Sequence, residues 1–180
     1  MKRLRLNSTT TLLLEAAERG NSAVVYSLLK TVANVNDTDG KKNTPLLLAA
    51  ARGRTKVVQV IINYKNSHPN IDLAMNNLNG DTALHVACEN GHAAIVQLLL
   101  SCSDFIRDIN AQNVKGDTAL HLAARNGNRD IVQEILKIDT LDCKIKNYDA
   151  KSPARTARLQ GYLSVYELIK QRQDNKCIIM

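Results

Sequence analysis

Aromatic residues are scarce in this chain of 180 residues, with five Tyr, one Phe (Phe105) and no Trp. A core without them must be built from Leu, Val, Ile and Ala. That disfavours an aromatic-rich β-sandwich and a sheet that stacks RNA bases on aromatic rings. Proline (three) and glycine (eight) are also few, which argues against a disordered or collagen-like chain. No apolar run reaches the ~18 residues that a membrane-spanning helix needs. The start, Met1-Lys2-Arg3-Leu4-Arg5-Leu6-Asn7, carries charge with no continuous apolar stretch behind it, so no secretory signal is expected. Four cysteines (Cys88, Cys102, Cys143, Cys177) lie far apart. Without a secretory signal they are expected to be free thiols in a reducing cytosol.

What is present is enough for a core and for solubility: 44% hydrophobic and 23% charged residues. The net charge of +7 is uneven: +7 over residues 1–65, −5 over 66–143 and +5 over 144–180. A duplex-binding protein concentrates its positive charge on one face or helix. Basic ends around an acidic middle suggest contact with an anionic surface at the ends, or solvated faces, and no nucleic acid partner is expected.

Self-comparison is the informative step. Thr44-Pro45-Leu46-Leu47-Leu48-Ala49-Ala50-Ala51-Arg52-Gly53 matches Thr82-Ala83-Leu84-His85-Val86-Ala87-Cys88-Glu89-Asn90-Gly91. Both match Thr118-Ala119-Leu120-His121-Leu122-Ala123-Ala124-Arg125-Asn126-Gly127. Apolar runs follow: Val57–Ile62, Ile95–Leu100 and Ile131–Leu136. Degraded copies run from Thr11 to Gly20 and from Ser152 to Gly161. The glycines are spaced 33, 38, 36 and 34, and the Thr/Ser positions 11, 44, 82, 118 and 152 give the same four spacings. Two markers with one period imply five units.

Each marker has a physical reason. Thr suits a helix N-cap, where its hydroxyl accepts from a free backbone N–H. Pro45 and Pro153 follow where a missing N–H costs nothing. Small residues such as Ala49, Ala50, Ala87, Ala123 and Ala124 let neighbouring helices approach. Gly ends the first helix because the reversal needs a left-handed backbone, and the second helix presents Val, Ile and Leu at helical spacing.

The repeated Thr-Pro/Ala-Leu-His-x-Ala-Ala-x-x-Gly signature resembles that of the ankyrin repeat family, over residues 9–171. The resemblance implies an all-α solenoid of about five helix-pair units, near 9–38, 39–76, 77–112, 113–146 and 147–171, with β-hairpin-like fingers. A basic arm (1–8) would precede it and a flexible tail (172–180) would follow. The signature His is present as His85 and His121 but is replaced by Leu14, Leu47 and Arg155. Where present, the resemblance implies that it ties the turn to the neighbouring unit. Extra residues fall after the second helices, around 63–70 and 101–107. The outer units look like capping repeats.

The resemblance also implies a protein partner on a concave face made of finger tips and first helices. Mapped onto this chain, that face comprises Lys41, Asn43 and Arg52; Leu78, Asn79, Asp81, Glu89 and Asn90; Val114, Lys115, Asp117, Arg125 and Asn126; and Tyr148 and Asp149. Leu78, Val114 and Tyr148 hold the same finger position in three successive units, an apolar row that packing alone does not require.

Catalytic and metal chemistry find no footing. His85 and His121 sit about a repeat apart, too far to share a metal ion at ~2.0–2.1 Å per bond. Gly91 breaks the helix between Cys88 and His92. No phosphate loop, serine elbow or zinc-type cysteine pair occurs, so no enzyme activity, cofactor or metal is expected.

The last four residues, Cys177-Ile178-Ile179-Met180, match a Cys-aliphatic-aliphatic-X box, in which a prenyltransferase would lipidate Cys177; a final Met favours farnesyl. One lipid binds a membrane reversibly, so a second signal is usual. The expectation is therefore a monomeric, non-catalytic interaction module brought to cytosolic membrane faces by lipid. Its combination of features resembles prenylated ankyrin-repeat effectors of intracellular bacteria acting in a host cell. The alternative is a eukaryotic cytosolic scaffold or inhibitor whose terminal box stays unmodified.

Overall fold

The computed structural model describes residues 8–31, 34–69 and 71–178. Among them the chain is helical, with turns and no strand: α1 (Ser8–Arg19), α2 (Ser22–Thr31), α3 (Pro45–Ala51), α4 (Thr55–Ser67), α5 (Ala83–Glu89), α6 (Ala93–Leu100), α7 (Ser103–Arg107), α8 (Ala119–Arg125), α9 (Arg129–Leu136), α10 (Pro153–Leu159) and α11 (Leu163–Ile178). Helices α1/α2, α3/α4, α5/α6, α8/α9 and α10/α11 pack as pairs. Each first helix packs on the next first helix, and each second helix on the next second helix. The product is a one-dimensional stack with a continuous core.

The markers do what their chemistry predicts. The hydroxyls of Thr44, Thr82, Thr118 and Ser152 accept from the backbone N–H three residues on, with Pro45 and Pro153 at the start of α3 and α10. Past the helix ends, Gly53, Gly91 and Gly127 take φ of 69°, 74° and 67°, the left-handed backbone that such a reversal requires. Ala17, Ala49, Ala50, Ala87, Ala123 and Ala157 are fully buried between first helices. The second helices repeat one buried triplet: Val57, Val58 and Ile61, then Ile95, Val96 and Leu99, then Ile131, Val132 and Ile135.

The extra residues found between the repeats join one another. The long α4 delivers Lys65, and α7 delivers Asp104, whose carboxylate lies 3.1 Å from Lys65 Nζ. Asp104 also accepts from the Leu73 N–H at 3.1 Å. Lys65 donates to the carbonyls of Pro69 (2.8 Å) and Ile71. Beside them Phe105 is buried, filling the space between α7 and the stack.

Among the described residues the fingers are hydrogen-bonded turns without strands. Helix α11 continues to Ile178, beyond residue 171, where a flexible tail was expected to begin. Arg172 Nε donates to the Leu136 carbonyl at 3.1 Å, and Gln173 Nε2 to that of Cys143 at 2.9 Å. No proline or glycine interrupts 171–178, so nothing local stops the helix. Residues 1–7 of the expected basic arm (1–8), the side chain of Cys177, and the residues Ile179 and Met180 lie outside what is described.

Candidate partner-binding face

Four fingers share one plan. Asp39, Asn77, Asn113 and Asn147 open them. Side-chain oxygens of all four accept backbone N–H groups two and four residues on: Lys41 and Asn43, Asn79 and Asp81, Lys115 and Asp117, Asp149 and Lys151. The third central position needs a left-handed backbone. Gly80 and Gly116 supply it, whereas Lys42 (φ 61°) and Ala150 (φ 57°) adopt it without that freedom.

Neighbouring fingers are then tied backbone to backbone. The N–H groups of Leu78, Val114 and Tyr148 donate to the carbonyls of Lys41, Asn79 and Lys115 at 3.0, 2.9 and 3.1 Å. With these N–H groups used, the three side chains stand 59%, 58% and 76% exposed. The apolar row expected from the sequence is thus an exposed line across three linked fingers.

A second ladder runs beneath it, and it engages two of the candidates. Asp81 is buried, accepting from Asn113 Nδ2 at 2.8 Å. Asp117 is buried too, accepting from Asn147 Nδ2 at 2.7 Å and pairing with the Arg125 guanidinium. Burial alone would raise the Asp117 pKa. The Arg125 and Asn147 hydrogen bonds outweigh it and hold the carboxyl below its usual range. Both aspartates bind fingers together; Asp117 is closed off from the surface, whereas Asp81 still lines the cleft beside Val114. Asn43 likewise accepts from Asn77 Nδ2 at 3.1 Å and is half-buried.

The other candidates lie on or near the surface. Lys41, Asn79, Lys115 and Asp149 are exposed on the fingers, and Arg52, Glu89, Asn90 and Asn126 at the ends of first helices. Arg52 reaches back to Glu18 at 2.8 Å. Asn126 Nδ2 donates to the Glu89 carbonyl at 2.6 Å, and Asn90 Nδ2 to that of Val86 at 2.8 Å. Asn79, Asp81, Glu89, Val114, Lys115 and Arg125 converge with Leu122 on a cleft of about 210 Å³. It holds two cations and two carboxylates beside an apolar tip, a surface suited to a polypeptide with both kinds of side chain.

The histidines are structural. His85 Nδ1 accepts from the Thr82 N–H at 3.3 Å, and its Nε2 bridges to the carbonyls of Ala111 (3.1 Å) and Asp117 (3.2 Å) in the next unit. His121 repeats this with Thr118 at 3.1 Å and Lys151 at 3.0 Å. Burial lowers both pKa values, keeping the rings neutral. Burial also pushes the Cys88 thiol up, away from any nucleophilic role. Among the described residues no group of three or more His, Cys, Asp or Glu could hold a metal ion, and no helix is long and apolar enough to cross a membrane.

Sequence reasoning missed the residue after each helix-ending glycine. Arg54 Nε, His92 Nε2 and Asn128 Nδ2 reach back to carbonyls ending the preceding unit's first helix: Glu18 (3.0 Å), Ala51 (3.3 Å) and Cys88 (3.2 Å). The signal was a polar residue recurring with the glycine period.

A stack of helix pairs with linked finger turns, stapled by a Thr–His box, defines a protein-recognition solenoid. The chain belongs to the ankyrin repeat family: the family model described as ankyrin repeats (3 copies) matches residues 13–110 and 67–149. Among similar proteins, the nuclear factor NF-kappa-B p105 subunit of Gallus gallus is 32% identical over 148 residues, 82% of this chain and 14% of that protein. NF-kappa-B inhibitor alpha of Sus scrofa is 36% identical over 90 residues, 49% of this chain and 28% of its own length. The E3 ubiquitin-protein ligase XBAT33 of Arabidopsis thaliana is 35% identical over 91 residues, 51% of this chain and 17% of the ligase. The chain therefore spans less than a third of each of these relatives. Ankyrin repeats are protein–protein interaction modules and generally non-catalytic.

Proposed function

We propose that the five helix pairs are five ankyrin units and that the finger-side face holds a protein partner, with the chain acting as a monomeric, non-catalytic adaptor. The observation that carries this is the row Leu78, Val114 and Tyr148. Large apolar side chains stand exposed on turns tied to one another by their N–H groups, and the polar cleft between the third and fourth units lies alongside. An aromatic anchor with aliphatic neighbours and a nearby Arg is the composition of an interface hot spot. One similar protein is named as the inhibitor of another protein, which fits a protein partner here. The test is the combined variant Leu78→Ser, Val114→Ser, Tyr148→Ser. Its melting temperature should stay within a few degrees of the parent's, because surface substitutions cost roughly 0.5 kcal/mol or less each. Partners recovered by the parent should be lost, and their retention on a folded variant rejects this face.

The membrane part of the reading is that, in a chain ending at Met180, a prenyltransferase lipidates Cys177 and brings the module to cytosolic membrane faces. Its support is the box Cys177-Ile178-Ile179-Met180 itself. The bacterial effector reading rests on the same box combined with the repeats. The Cys177 backbone lies in the last turn of α11, so the transferase would have to take that turn unwound. Cys177→Ser should move the protein wholly to the soluble fraction of cells that farnesylate; unchanged fractionation rejects the lipid anchor.

A further inference from the structure

The last helix pair inverts the polarity of the units before it. Aligned on Gly91, Gly127 and Gly161, its stacking positions hold Arg155, Arg158, Tyr166 and Lys170. The two preceding units place His85 and His121, Cys88 and Ala124, Val96 and Val132, and Leu100 and Leu136 there, against the next pair. Where those units carry Glu89 and Arg125, or Ala93 and Arg129, the last has Leu159 and Leu163, which are 59% and 62% exposed.

These residues share one surface. Arg155, Arg158, Leu159, Tyr166 and Lys170 line an open groove of about 690 Å³ between α10 and α11, and no carboxylate lines it. Leu163, Tyr166 and Lys170 follow at helical spacing on α11. The Arg158 guanidinium carbon lies 5.8 Å from the centre of the Tyr166 ring, a cation–π arrangement.

A solubilising cap needs polar residues of either sign. The opposite end of the stack has both, with Glu15 and Arg19 paired at 3.6 Å on α1. Three cations beside two exposed leucines and a tyrosine form a different pattern. Cations attract the anionic headgroups of a bilayer, and leucine with tyrosine settles at the headgroup–acyl boundary. A phosphopeptide site would gather its arginines around one enclosed point, whereas these come from two helices around an open groove with apolar rims.

We propose that the outer face of the last helix pair is a membrane-contact surface. In it Arg155, Arg158 and Lys170 bind phosphate-bearing lipid headgroups, and Leu159, Leu163 and Tyr166 enter the interface. The contact is independent of any chemistry at Cys177, so its failure and that of the lipid anchor are separable.

The test uses the full chain with Cys177→Ser, so that no lipid is attached. Co-sedimentation is measured with phosphatidylcholine vesicles, with and without phosphatidylserine. Binding should require the anionic lipid and weaken as salt rises. Arg155→Gln, Arg158→Gln, Lys170→Gln should reduce it about a hundredfold, since each cation near an anionic surface is worth about five-fold. Leu159→Ser, Leu163→Ser should reduce it as well. Lys30→Gln, Lys56→Gln, Lys146→Gln removes the same charge elsewhere and should change binding little. Equal loss in that control, undiminished binding by the first variant, or no vesicle binding by the parent overturns the proposal. So does binding of inorganic phosphate or a phosphoserine peptide without binding to vesicles. Unchanged melting curves, expected for exposed positions, assign the losses to the surface.

Discussion

His85 and His121 each close two joints at once, capping their own helix and holding the next finger. Both do so as neutral rings, because burial holds their folded pKa values below 6.5. The sign of the linkage follows. Below about pH 6.5 the unfolded chain takes up protons that the fold refuses, so stability is present above that pH and is lost as the pH falls toward the folded values. Each histidine steepens the decline by at most about 1.4 kcal/mol per pH unit. Urea melts between pH 7.5 and 5.5 should therefore show falling stability, on conditions chosen to span the ordinary histidine range of about 6.5. A His85→Gln, His121→Gln protein should start less stable and lose less over the same interval. Asp117, held below its usual range, adds a separate loss only at lower pH, below its unfolded value of about 3.9. A histidine pair that left the acid slope unchanged would contradict this account.

At the scale of elements, helices that repeat were legible and helices that do not repeat were less so. Thr, Pro and Gly mark α3, α5, α8 and α10 because each answers a backbone demand that the sequence states locally. The five-residue α7 has no such mark. It is held by Asp104, through Lys65 and the Leu73 N–H, and by buried Phe105, all contacts across the fold. Asp104→Ala would leave the Lys65 ammonium with only its two carbonyl partners and the Leu73 N–H with no acceptor. It should cost about 3 kcal/mol, the low end for removing one partner of a buried pair, because the carbonyls remain. In a chain of this size that lowers the melting temperature by the order of 10 °C. A shift under about 2 °C, the size of a change near 0.5 kcal/mol, would show that the pair contributes little. The same blindness explains Asp81 and Asp117. From sequence they look like finger-tip polars, and only the Asn one repeat onward shows that they tie fingers together. The recurrence of Asn77, Asn113 and Asn147 was the available clue. The exposed tips Leu78, Val114 and Tyr148 were legible because an apolar residue in a polar turn stands out against its own repeat.

At the scale of the whole molecule, the charge asymmetry acquires a location. Part of the basic C-terminal segment, residues 144–180, lies on the outer face of the last pair, through Arg155, Arg158 and Lys170. The candidate partner face, on the fingers and first helices of the middle units, is a separate surface with mixed charge. One protein can thus hold a partner by its side while its end meets something else. The stack has a further consequence in time. Every substantial helix contact lies within a pair or between adjacent pairs, apart from the local contact of α7 with α6. No part of the core waits for distant segments to meet, so the entropy of closing long loops is avoided and contact order stays low. A chain leaving the ribosome can settle each pair on the one before it. The surface of Leu159, Leu163 and the three cations then forms after the four helix pairs that precede it, on a stack already folded.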